Sequence, residues 1–133
     1  MLVFTDRKSS LEIDLVSWDG DAYISVNIDS RGYSGQNDLH IDAEEFKKFC
    51  ADIFQLQKTL KGKAVLNSIS PDELHIEIKP DGGSGHMSVR GKCGYHIHTD
   101  RQMNWHSIEF GFEFEPQQLD KAIKVDWIVT HAT

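Results

Sequence analysis

Cysteine, proline, basic residues and long apolar runs are all scarce in this sequence. The two cysteines, Cys50 and Cys93, are too few for a disulfide-rich secreted scaffold. They fall in a predicted helix and a predicted strand, as ordinary core thiols of a reduced cytoplasmic protein do, and a single Cys50–Cys93 disulfide is the alternative. The apolar stretches run for only a few residues, so no membrane-spanning helix is expected. The first residues, MLVFTDRKSSLEIDL, lack the charged-then-apolar order of a signal peptide. Lysine and arginine number 14 against 21 aspartates and glutamates, a net charge of −7. A nucleic-acid binder needs the opposite balance, because basic side chains must displace counterions from phosphate. Acidity of this size keeps a protein soluble, and it also favours a basic partner, since charge complementarity raises the association rate.

What is present is ordinary globular material. Hydrophobic residues make up 39% and charged residues 26% of the 133, which suits one domain over residues 1–133 with its own core. Leu11, Ile13 and Leu15 alternate with Glu12 and Asp14. Ser17-Trp18-Asp19-Gly20-Asp21 follows, and Ile24, Val26 and Ile28 then alternate with Tyr23, Ser25 and Asn27. An Asp-Gly pair between two alternating runs predicts a β-hairpin. Ser30 to Asn37 reads as a loop because of its glycines and small polar residues.

A helix is predicted from Asp42 to Gly62. Asp42 is an N-cap, Glu45 completes a capping-box spacing, and Phe46, Phe49, Cys50, Ile53, Leu56 and Leu60 form an apolar stripe. Glu44 and Lys48 stand at ion-pair spacing. Four further strands are expected, over Lys63–Ile69, Leu74–Ile78, Met87–Cys93 and Ser107–Phe114. Pro116, Leu119, Ile123 and Trp127 suggest a short C-terminal helix. The fold class is therefore α+β: a single antiparallel sheet of about six strands, ββ-α-ββββ-α, with a long amphipathic helix and a short C-terminal helix on one face.

The chemistry-bearing residues form no recognised catalytic set. His96 and His98 are two apart, so their rings share one strand face and could hold a metal together with His86 or His106. The pair resembles a cupin motif, but Gly91 and Asp100 do not match that motif in spacing or type. Otherwise these are surface and hairpin histidines. Cys93 falls with Met87 and Val89 on the apolar face, where a thiol has a raised pKa and is inert. Gly82-Gly83-Ser84-Gly85 lacks the Lys-Ser/Thr of a phosphate loop. Glu109 and Glu113 lie roughly 13 Å apart along one strand, too far for paired glycosidase carboxylates. The expected binding residues are Trp18, Tyr33 and Trp105, as aromatic anchors, with Glu77, Arg90, Glu109 and Glu113 on the polar sheet face. For each aromatic the competing reading is that it folds over a sheet edge to close the core.

The cadence of Gly62-Lys63-Ala64-Val65-Leu66, Leu74 to Ile78, Gly85-His86-Met87-Ser88-Val89 and Phe110 to Leu119 resembles a group of small bacterial proteins of unknown function. It is similar, more loosely, to the immunity proteins that accompany WapI-type contact-dependent toxins. The likeness spans Tyr33 to Leu119 and rests on strand and turn patterns, so no functional residue carries over. It implies an antiparallel sheet with one long helix and, for the immunity group, neutralisation of a toxin by binding. The expectation is a non-enzymatic protein-binding module without cofactor, with a protein partner or self-association and with neither nucleic acid nor membrane as a ligand. A histidine metal site and a homo-oligomeric module are the alternatives.

Overall fold

The computed structural model describes residues 1–132, and its strands fall into two sheets. Strands β1 (Leu2–Thr5), β2 (Ser9–Trp18), β3 (Ala22–Ser30) and β4 (Tyr33–Ile41) form the first, an antiparallel meander. Helix α1 (Ala43–Thr59) leads to a second meander of β5 (Ala64–Asn67), β6 (Leu74–Pro80), β7 (Met87–His98) and β8 (Met103–Phe114). Helices α2 (Gln118–Ala122) and α3 (Asp126–His131) follow. The α+β class holds, but the single sheet of about six strands does not. Alternation reports that a strand has one buried face; it does not report which sheet the strand joins.

Two strands were unanticipated. β1 is short and almost wholly apolar, so it carries little alternation to read. β4 occupies most of the expected loop. Arg31 and Gly32 make a two-residue turn with φ of 54° and 91°, the left-handed pair that a tight hairpin requires. The alternation of β4 is concealed because its inward positions near the turn are Gly35 and Asn37. Both serve the crossing of the two sheets. A Cβ on Gly35 would lie 2.8 Å from Ile108 Cγ2, and Asn37 Nδ2 donates to the Gly94 carbonyl at 2.8 Å.

The inward faces of both sheets, the α1 stripe and Leu119, Trp127 and Ile128 form one buried cluster. Each fully buried Leu, Ile or Phe there contributes roughly 1.5–3 kcal/mol relative to exposure. Asp42 caps α1 as expected, accepting from the Glu44 and Glu45 amides at 3.2 and 3.3 Å. Glu45 instead reaches across to β5, where its Oε1 accepts from Asn67 N and Nδ2, both at 3.0 Å. Glu44 pairs with Lys47, and Lys48 with Asp52. Leu60 adopts a left-handed conformation at the helix end and is exposed, so it leaves the stripe.

The expected C-terminal helix is two short ones, because Val125 is extended and breaks it. Its Leu119 and Trp127 are nevertheless buried. At the free edge of β1, the Gln118 side-chain amide donates Nε2 to the Thr5 carbonyl and accepts from the Thr5 amide, both at 2.8 Å. Among the described residues no helix is long and apolar enough to cross a membrane.

Candidate binding surface

The outer face of the second sheet gathers five of the seven expected binding residues, Glu77, Arg90, Trp105, Glu109 and Glu113. Strand register sets Glu77 opposite Arg90 and Lys92 opposite Glu109. Opposite charges in directly facing positions stabilise the pairing and leave a face of mixed sign. Lys79 Nζ lies 3.3 Å from Glu77. A shallow cavity of about 370 Å³ runs among His75, Glu77, Lys79, Arg90, Lys92 and Glu109. Lys92 Nζ stands 5.4 Å from the centre of the Trp105 ring, in cation–π range. The Trp105 ring in turn lies 4.8 Å from that of His96.

Trp18 and Tyr33 lie on the first sheet, and Glu113 stands apart at the far end of the second-sheet face. Tyr33 begins β4 and is 74% exposed at the end of the first sheet. Glu113 lies near the end of β8, 3.5 Å from His86 Nδ1, while His86 Nε2 lies 3.1 Å from Glu115. A hydrogen bond with Asp81 and that residue's negative charge raise the Glu113 pKa above its ordinary value. Trp18 is 38% exposed; its ring stacks on His131 at 4.3 Å and lies 5.9 Å from Phe46, against α3 and α1.

The four candidate metal histidines do not converge. His96 and His98 are neighbours, with ring centres 5.0 Å apart. His106 has the opposite strand parity and packs against Tyr95 at 5.2 Å, and His86 belongs to the Glu113 cluster. Among the described residues no group of three or more His, Cys, Asp or Glu could hold a metal ion. Burial pushes the Cys50 thiol up to about 12. Burial, with the Glu73 charge, pushes Cys93 up to about 11. Both thiols are free and buried, which favours their protonated form.

The distal part of the β7–β8 hairpin carries surface that sequence reasoning missed. No residue from Tyr95 to Ser107 is buried, so this stretch is an arm extending past the core. It exposes Tyr95 (40%), Ile97 (50%), Met103 (47%) and Trp105 (40%). The alternation of Tyr95 and Ile97 was a usable signal, masked by the histidines interleaved with it.

The family model of the Immunity protein WapI-like family matches residues 2–125. The chain belongs to that family. No curated protein and no solved structure matches it significantly. In this WapI-like immunity fold, then, Trp105 shares one face with Glu77, Arg90, Lys92, Glu109 and Glu113, and the arm adds apolar side chains on both of its sides.

Proposed function

We propose that this chain is a non-enzymatic immunity protein that neutralises a toxin protein by binding it. The family match over residues 2–125 carries this reading. The arm and the adjoining face of the second sheet are the contact region, with Trp105 as anchor and Glu77, Arg90 and Glu109 around it. Large apolar side chains on a two-stranded ribbon with no core beneath add little to folding, and they suit burial against a partner. Mixed charges around an aromatic centre match the usual build of an interface, where an apolar hot spot is ringed by polar groups.

The test is co-expression with toxin domains of the WapI type. Growth should be restored, and the two proteins should coelute in size-exclusion chromatography. Trp105→Ala should weaken the complex at least about tenfold. Full toxicity in the presence of well-expressed, folded chain would refute the neutralisation reading.

A further inference from the structure

The first sheet differs sharply from the second in the sign of its charge. Its four strands contain no lysine and no arginine. Their charged residues, Glu12, Asp14, Asp29 and Asp38, all have outward parity, because Leu11, Ile13, Val26, Ile28 and Leu39 take the inward positions. Asp14 meets the N-terminal amine at 3.8 Å, and His40 meets Asp21. Glu12, Asp29 and Asp38 have no ion-pair partner among the described residues. The nearest cations in sequence, Arg7, Lys8 and Arg31, sit in the turns at one end, where Arg31 pairs with Asp6.

This face does not end at the edge of β4. A groove of about 370 Å³ includes Glu12, Asp29, Ser34 and Gln36 in its lining. The same Ser34 and Gln36 line a hollow of about 530 Å³ whose far wall is Tyr95 and His106 on the arm. Carboxylates and an exposed aromatic pair therefore border one continuous surface. The arm from Tyr95 to Ser107 has one acidic residue, Asp100, and one basic residue, Arg101, and so adds no net charge of its own.

We propose that the outer face of the first sheet and the Tyr95–His106 side of the arm form one docking surface for a basic protein surface, with lysine or arginine side chains seated among Glu12, Asp29 and Asp38. This rests on the reading that the chain neutralises a toxin by binding, and it adds a contact on the side of the arm opposite Trp105, with a stated partner chemistry. Charge complementarity selects the occupant. A second copy would set the same unpaired carboxylates against one another, and a nucleic acid would be repelled.

Two probes test it. The ¹⁵N-labelled full chain is titrated with deca-lysine, with deca-glutamate as control, and amide shifts are mapped. Shifts with deca-lysine alone, over β2–β4 and residues 94–107, are expected. The triple variant E12Q/D29N/D38N should weaken binding about tenfold, since three exposed charge pairs are lost, and added salt should do the same. Absent shifts, or shifts confined to α1 or the second sheet, would overturn the proposal.

The second probe is a WapI-type toxin domain. If it binds wild type and triple variant equally and without salt dependence, the basic-partner inference falls while neutralisation by binding stands. If it does not bind although deca-lysine maps as expected, the neutralisation reading falls and the docking surface stands. A dimer in light scattering whose interface covers this face would also refute the proposal.

Discussion

A methyl group added at Gly35 would meet Ile108 Cγ2 at 2.8 Å, inside any real Cβ contact. The neighbours would have to shift where the two sheets cross. Gly35→Ala should therefore destabilise the fold by about 1–3 kcal/mol, read as a lower midpoint in urea unfolding. His131 offers a pH test at the same scale. Its burial under Trp18, and then the Lys47 charge, lower its pKa from the ordinary 6.5. The unfolded chain then binds this proton at a higher pH than the folded one. The stabilisation is complete above pH 6.5 and is lost as pH falls from there through the lowered value. His131→Gln should flatten that part of the melting-temperature profile between about pH 5 and pH 8. The thiols of Cys50 and Cys93, pushed up to about 12 and 11, should resist a disulfide reagent at pH 8 until denaturant is added.

Among the elements, the arm is the least supported. It has two strands and no buried residue between Tyr95 and Ser107. Its amides should exchange with deuterium at least about tenfold faster than those of Met87 to Cys93 on the same strand. The elements differed in how plainly the sequence announced them. The β2–β3 hairpin and α1 were readable because large apolar residues fill nearly every inward position. β4 was not, because its inward positions near the turn are Gly35, which approaches β8, and Asn37, which bonds β7. The division into two sheets was also hidden, since a strand buries one face whichever sheet it joins. Parity did place Glu77, Arg90, Trp105, Glu109 and Glu113 on one face. It could not reveal that the Trp18 ring, at the end of β2, stacks on His131 beside Phe46, which depends on contacts distant in sequence.

At the scale of the molecule, both sheets and all three helices contribute to one buried cluster. Calorimetry should accordingly find a single unfolding transition, with calorimetric and van't Hoff enthalpies equal. The charge is unevenly distributed over this body: one sheet presents carboxylates alone, and the other alternates signs. The net −7 is thus a directional property, able to orient an approaching partner as well as attract it. A last consequence lies in Gln118. Its amide presents one donor and one acceptor to Thr5, as a neighbouring peptide group would. The first sheet therefore ends on a counterfeit rung. An invading strand finds that position filled and the backbone leading away from it already a helix, so extension of the sheet past β1 is blocked at Thr5.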